Sequence, residues 1–401
     1  MRILIVGQYF PPEITAGAAR MYGFASALAR RGHDVEVICE VPSHPEGVVA
    51  PGYGGAMVDR REVDGFEVSY VWVRATASKG TTSRLVNYGS FALSAAVAGM
   101  RCDPDVIFAS SPPLTTAAAA AALARRHRVP WVFDVRDLWP DVAVVVEQVS
   151  EGPLVRAARR IERRLYRSAA AITATTTHFA SEIERRGARG EVTLLRNGAS
   201  EAALAAGAAP LDRSGLPSGQ RRFRWLYAGN LGLAQGLDTA VEAASMLGDE
   251  FRLVLLGEGP ERARLQRLSA SLAPDSVEFA RPQPSDQAAR TMRAADALLV
   301  PLAATPGLEG FVPSKLFDCC AVGRPIVVAT GGETDAIVRD AEVGLSVPPG
   351  DAQRLAEAVR TLRDDPAAAE RLAANARAFG ERNSRERGGA RLESVLLSVV
   401  G

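Results

Sequence analysis

Three groups of residues in this 401-residue chain have types and spacing that could do chemistry. The sharpest is Val312-Pro313-Ser314-Lys315-Leu316-Phe317-Asp318, followed by Gly323-Arg324-Pro325 and the apolar Ile326-Val327-Val328. It reads as a loop, a helix and a buried strand. Pro313 suits a first helical turn, where a missing N–H costs nothing. Gly323 suits the helix end, and Pro325 prevents continuation. Ser314 and Lys315 then lie where backbone N–H groups converge, a place that can hold phosphate. Asp318 follows about one turn on, on a neighbouring face. A cation for phosphate and a carboxylate for sugar hydroxyls is what a nucleotide-sugar site needs. The plainer alternative is an ordinary capped helix with a solvated lysine.

The second group is Asp134-Val135-Arg136-Asp137-Leu138-Trp139-Pro140-Asp141. Its carboxylates could accept from sugar hydroxyls or serve an acceptor as base, and Trp139 could cover a sugar face. The alternative is a salt-bridge knot that shapes the loop. The third group is a set of glycine-rich turns. Gly229, Asn230, Gly232, Gln235 and Gly236 follow one strand, Gly257-Glu258-Gly259-Pro260 the next, and Arg281-Pro282 a third. Gly229 and Gly232 allow close backbone approach, Asn230 and Gln235 could donate to phosphate oxygens, and Arg281 could flank a base. Near the N-terminus, Gly7 to Arg20 carries Glu13 and Gly17 ahead of a helix, but not the Gly-x-Gly-x-x-Gly of dinucleotide folds.

The elements that must position these residues alternate between β-rich and helical patterns. Strands are expected near 2–6, 34–39, 66–73, 105–109, 131–134, 170–174 and 192–195, and again near 223–229, 252–256, 276–279, 297–300, 325–328 and 345–347. The fold class is therefore α/β, with two doubly wound, Rossmann-like domains built on parallel sheets. The expected bounds are 1–197 for the first domain and 221–381 for the second. Residues 198–220, rich in Ala, Gly, Ser and Pro, read as a linker, and a helix over 382–401 packs back on the first domain. In open parallel sheets ligands lie outside the carboxyl ends of the strands. Two such domains facing one another across a cleft put every group above beside that cleft.

Composition narrows the function. A net charge of +1 gives no footprint for nucleic acid. Cys39, Cys102, Cys319 and Cys320 form no C-x-x-C pair, and no histidine cluster joins them, so no metal site is expected. Unpatterned cysteines and the lack of a signal-peptide pattern point to the cytoplasm. The longest apolar run, about 114–124, is short of the ~18–20 residues of a membrane span. Arg84, Tyr88, Phe91 and Ala95 recur at helical spacing between Lys79 and Arg101, and Arg159, Arg160, Arg163, Arg164 and Arg167 form a basic run. For the first set, contact with the inner membrane surface and ordinary packing both stand open. For the arginine run a solvated face is the simpler reading.

Taken together, Gly229-Asn230-Leu231-Gly232, Gln235-Gly236-Leu237-Asp238, Gly257-Glu258-Gly259-Pro260, Pro313 to Asp318 and Gly323 to Val327 resemble family 4 glycosyltransferases of the GT-B fold. The nearer likeness is to the bacterial branch of WbuB-like fucosamine transferases, with Tyr9-Phe10-Pro11-Pro12-Glu13, Pro45-Glu46-Gly47 and Arg136 to Pro140 as first-domain motifs. The resemblance implies retaining, metal-independent transfer from a nucleoside diphosphate sugar, UDP-linked by the nearest likeness, with an N-acetylated amino sugar among the candidates. The acceptor would be a saccharide, a lipid-linked saccharide or a natural product.

It also implies roles. Lys315 would meet the leaving diphosphate, with Gly229, Asn230, Gln235, Glu258, Arg281, Pro313 and Ser314 around the donor, Asp318 on its ribose and Gly17 beside it. Asp137 and Asp134 would act in catalysis, and Glu13, His44, Arg136 and Trp139 would lie on the acceptor side. Two positions depart from the family's pattern. Members often carry two Glu separated by seven residues, where this chain has Gly310 and Asp318, with Glu309 one place out of register. Many also carry a basic residue in place of Gln235. A nucleotide-sugar epimerase and an inactive sugar-nucleotide-binding scaffold remain as alternatives on the same architecture.

Overall fold

The computed structural model describes residues 1–44, 46–77, 80–145, 151–212 and 222–401. Pro45 of the Pro45-Glu46-Gly47 motif, Lys79 and residues 213–220 of the expected linker lie outside them. The chain divides into two compact units, Met1–Arg196 with Arg385–Gly401, and Asn197–Ser384.

The first unit is built on β1 (Arg2–Val6), β2 (Asp34–Glu40), β3 (Val58–Val63), β4 (Phe66–Val71), β5 (Val106–Ser111), β6 (Trp131–Val135), β7 (Ala171–Ala174) and β8 (Val192–Leu194). Their order across the sheet is β3-β4-β2-β1-β5-β6-β7-β8. Central strands such as β1 and β5 are near-continuous apolar runs because helices cover both faces. The sheet departs from the all-parallel expectation at one edge, where β3 pairs antiparallel with β4. The connection is Asp64-Gly65, both with positive φ, a tight hairpin turn. The charges of Asp59, Arg60, Arg61 and Glu62 mask the hydrophobic alternation of β3, and suit an edge strand. The helix Arg385–Val400 packs on the helix Ala16–Arg30, with Glu386 reaching Arg30 and Arg31.

The second unit is built on β9 (Phe223–Ala228), β10 (Phe251–Leu256), β11 (Val277–Ala280), β12 (Ala297–Pro301), β13 (Ile326–Ala329) and β14 (Gly344–Val347), ordered β11-β10-β9-β12-β13-β14 and parallel throughout. Alternation along β9 sorts its side chains to the two faces. Trp225 and Tyr227 join Leu253, Leu255 and the helix Ala352–Asp364 in one core. Leu226 joins Val254, Leu298 and the helix Lys315–Ala321 in the other.

Residues 198–212 are not a structureless linker. Ser200 accepts the Ala203 N–H and caps a helix over Glu201–Ala208. Ala203 and Ala206 bury into the core beside Leu316, Phe317 and Ala321. A composition of alanine and glycine is shared by linkers and by tightly packed helices, and burial decides between them.

Candidate active site

In the second unit, the carboxyl ends of β9 and β10 carry two glycine turns packed backbone to backbone. Leu231 N–H donates to the Glu258 carbonyl at 2.8 Å, and Glu261 N–H returns to the Leu231 carbonyl at 3.0 Å. Gly257 has φ 151° and leaves no room for a Cβ against the Gly229 carbonyl; Gly229 itself has φ 143°. Only glycine combines that backbone with that approach.

Lys315 begins the helix Lys315–Ala321, with Pro313 and Ser314 forming the turn before it. Its Nζ donates to the Tyr227 hydroxyl at 2.5 Å and lies 3.8 Å from the Tyr227 ring centroid. A Cβ on Gly229 would be 2.9 Å from that nitrogen, so the ammonium rests directly on the turn. The helix has only seven residues, so the charge of Lys315 outweighs its dipole. Burial pushes the ammonium down to about 7, against 10.5 for a free lysine. An anion at this place would reverse that shift.

The turn is more specialised than the sequence implied. Gly229 N–H is committed to the Leu256 carbonyl and Leu231 N–H to Glu258. Gly232 N–H is held by Gln235 Oε1 at 3.1 Å. Exposed Asn230 and half-buried Lys315 are therefore the donors presented at this turn. Gln235 closes the turn with its oxygen and keeps its amide N–H₂ half-buried beside it. Glu258 and Arg281 are exposed at the rim. Asp318 is half-buried, and its Oδ1 accepts the Ser200 N–H at 2.7 Å. One of its oxygens thus anchors the start of the helix Glu201–Ala208. Glu309, out of register in sequence, closes its own turn by accepting the Gly307 N–H.

In the first unit the Asp134 to Asp141 segment leaves the end of β6. Asp134 is fully buried and each of its oxygens is occupied. Arg20 donates to both at 2.7 and 3.1 Å, Ser110 donates at 2.8 Å and Thr173 at 2.8 Å. Burial alone would raise this carboxyl; Arg20 and the two hydroxyls more than offset it and hold it below the usual range. Asp134 therefore leaves the catalytic set: a saturated, inaccessible carboxylate positions Arg20, which in turn binds the Leu195 and Arg196 carbonyls. Arg20 was not evident as a site residue. Its one signal is its place four residues before buried Phe24 on an otherwise small, apolar helix face.

Arg136 donates to the carbonyls of Ser111 and Pro112, and it fills the space above Gly17. Asp137 and Trp139 are half-buried, with Trp139 N–H bonded to the Asp137 carbonyl. Burial pushes the Asp137 carboxyl above its ordinary range, opposed by Arg136. Glu13 is buried and fastens the next loop, accepting the N–H groups of Ser43 and His44 at 2.8 and 2.9 Å. His44 is exposed, with its ring 5.3 Å from that of Tyr9. The structure thus brings Gly17, Arg136, Asp137 and Trp139 together, and separately ties Glu13 to His44.

Among the described residues, no group of three or more His, Cys, Asp or Glu side chains is placed to hold a metal ion. None of the described helices is long and apolar enough to cross a membrane.

Known proteins place these two units in one family. The glycosyl transferase 4-like domain model matches residues 15–198, and the glycosyl transferases group 1 model matches residues 210–379. The chain is 26% identical over 349 residues to WcaI of Escherichia coli K12, named as a colanic acid biosynthesis glycosyl transferase, covering 84% of each chain. It superposes on sucrose-phosphate synthase from Thermosynechococcus elongatus with a TM-score of 0.76 at 18% identity, covering 99% of this chain and 98% of that one. For Anabaena HepE in complex with UDP and glucose the TM-score is 0.73, at 18% identity, over 99% of this chain and 100% of that one. With its two Rossmann-like units, its paired glycine turns and Lys315 set against them, the chain belongs to the family 4 glycosyltransferases of the GT-B fold.

Proposed function

We propose that this glycosyltransferase moves a sugar, with retention, from a nucleoside diphosphate donor to a hydroxyl of a saccharide-bearing acceptor, without a metal ion. The observation that carries the reading is Lys315: one cation, held by Tyr227 against the Gly229 turn, where a leaving diphosphate would gather charge. Asn230, Gln235 and Ser314 complete the donor side, with Pro313 shaping the turn, Glu258 and Arg281 at the rim and Asp318 toward the ribose. UDP is the nucleotide favoured, since HepE, which shares the fold, is described with UDP and glucose. An N-acetylated amino sugar is the first donor sugar to test.

The acceptor belongs to the first unit, where Asp137 orients its hydroxyl by a charge-assisted hydrogen bond. Arg136 and Trp139 shape that loop, and Glu13 and His44 the neighbouring one. In a retaining transfer the departing diphosphate can itself take the acceptor proton, so Asp137 need not act as base.

A lipid-linked acceptor is supported by the helix Thr81–Gly99. Phe91 and Ala95 of this helix are buried in the core, while Arg84 and Tyr88 are half-buried. The opposite face exposes Leu85, Val86, Leu93 and Val97, with Met100 and Arg101 just beyond. Such a stripe with a basic end suits an anionic membrane face. In the basic run, Arg159 is paired with Asp141 and Glu151, which leaves Arg160, Arg163, Arg164 and Arg167 as an ordinary solvated face. Flotation with phosphatidylglycerol vesicles, compared with Leu93→Glu, tests the contact.

A thermal-shift screen of UDP, GDP, dTDP and their sugars tests the donor. A true donor at a hundred times its dissociation constant stabilises by about 2.7 kcal/mol. Slow hydrolysis of that donor supports transfer, whereas a converted sugar would support the epimerase reading. No shift with any nucleotide would overturn the proposal.

A further inference from the structure

Lysine is rare in this chain. Of its 47 Lys and Arg residues only Lys79 and Lys315 are lysines. Every other cation around the second unit is a guanidinium, yet the glycine turn is met by an ammonium. The two groups differ in how they bond. A guanidinium presents a flat fork of donors, while an ammonium is a compact charge with three donors pointing apart.

The surroundings of Lys315 select the compact group. Tyr227 is completely buried in the core below the turn, and its hydroxyl emerges at the carboxyl end of β9. That hydroxyl donates to the Asn230 carbonyl at 2.6 Å and accepts from Lys315 Nζ at 2.5 Å. Burial raises the Tyr227 hydroxyl well above its ordinary range, so it stays protonated and can serve as donor and acceptor together. Gly229 is the next neighbour, and a Cβ there would lie 2.9 Å from the ammonium, so the position opposite Lys315 is left to glycine. Tyr227 thus uses one of the three N–H bonds and leaves the others for an anion. It also pins the carbonyl of Asn230, whose N–H and side chain are the turn's remaining donors.

We propose that Tyr227 is the positioning residue of this site: its hydroxyl fixes the Lys315 ammonium and the Asn230 turn in one geometry before the diphosphate arrives. The proposal rests on the reading of Lys315 as the diphosphate contact. A phenylalanine cannot replace this hydroxyl, although it would fill the same core. Nor does an arginine reproduce Lys315, because a planar fork presents its donors in one fixed plane and not as three N–H groups pointing apart. Preorganisation matters here because a flexible ammonium would otherwise have to be immobilised, and a loose turn ordered, as the ligand binds.

The test is Tyr227→Phe, read in two ways. The first needs no ligand. Protein labelled with [13Cε]lysine gives two side-chain signals, and Lys315→Arg identifies which is Lys315. Losing its acceptor should lower the pH midpoint of the Lys315 signal and leave the Lys79 signal unmoved. The second is a double-mutant cycle in calorimetry with UDP, and with inorganic pyrophosphate as the minimal probe. Tyr227→Phe should weaken binding about ten- to a hundredfold, the range for a hydrogen bond to a charged group. In a Lys315→Ala background the loss should be several-fold smaller, because the part carried by Lys315 is gone and only the hold on the Asn230 turn remains. Equal losses in both backgrounds would reduce Tyr227 to a structural residue and overturn the proposal, as would an unmoved Lys315 signal. If Lys315→Ala binds both probes as tightly as the parent protein, the diphosphate reading itself fails, while the lysine titration still judges the Tyr227 contact. A parent protein that binds neither probe overturns both.

Discussion

Arg136 occupies the space that a side chain at Gly17 would need: its Nη1 lies 2.5 Å from where a Cβ on Gly17 would be. The small residue at the start of the helix Ala16–Arg30 therefore serves the guanidinium, which is held by the carbonyls of Ser111 and Pro112. Gly17→Ala should displace Arg136 and disturb the Asp137 loop beside it. The expected loss is about tenfold or more in acceptor-dependent turnover, in line with losing a hydrogen bond to a charged group. Calorimetry should show nucleotide binding unchanged. A weakened nucleotide site with normal turnover would mean that Gly17 serves the donor instead.

Lys315→Ala should reduce turnover at least a hundredfold, since one such donor is typically worth about 3–4 kcal/mol in the transition state. Folding should be retained. Steady-state rates within threefold of the parent would remove Lys315 from the site.

The pH dependence of the empty enzyme should carry the mark of Lys315. Its folded value of about 7 lies below the 10.5 of a free lysine. Between those values the unfolded chain holds a proton that the folded chain does not, so stability rises with pH across that window. Lys315→Met should flatten the rise in urea unfolding between pH 7 and pH 10. Nucleotide binding runs the other way. It requires the charged form, so affinity should fall as the pH is raised above about 7, with proton uptake seen as buffer-dependent heat.

Asp134→Asn should cost stability before it costs chemistry. Removing one partner of a buried ion pair leaves Arg20 uncompensated, an effect of about 3–5 kcal/mol. Because the folded Asp134 carboxyl lies below its unfolded value, its contribution is present above that value and lost as the pH falls through the folded one. The variant should therefore be weaker at neutral pH and lose less than the parent on acidification. Urea midpoints at two pH values decide this.

Asp137→Asn should leave nucleotide binding intact and slow transfer to the acceptor, by about a hundredfold or more if the carboxylate shares the proton. Burial raises the carboxyl, so the parent's turnover should decline on the acid side from above the ordinary 3.8. That acid limb should be absent in the variant. An unchanged pH profile would limit Asp137 to shaping the loop.

The parallel α/β alternation, the glycine turns and the lysine behind them are legible in the order of residues alone. These signals are local: apolar runs mark buried strands, and glycine with proline marks where the chain must turn. That order did not reveal β3, whose charges hide its pairing, nor the helix Glu201–Ala208, whose composition also fits a linker. The roles of single side chains were decided only by tertiary structure. Asp134 and Asp137 sit three residues apart and look alike in sequence. Folding places Arg20, from 114 residues earlier, on the first and none of those donors on the second. Tyr227 and Lys315, 88 residues apart, become partners because β9 ends where the helix Lys315–Ala321 begins. A hydrogen bond needs two groups within about 3 Å, and for residues so far apart in the chain only the packed fold sets that distance.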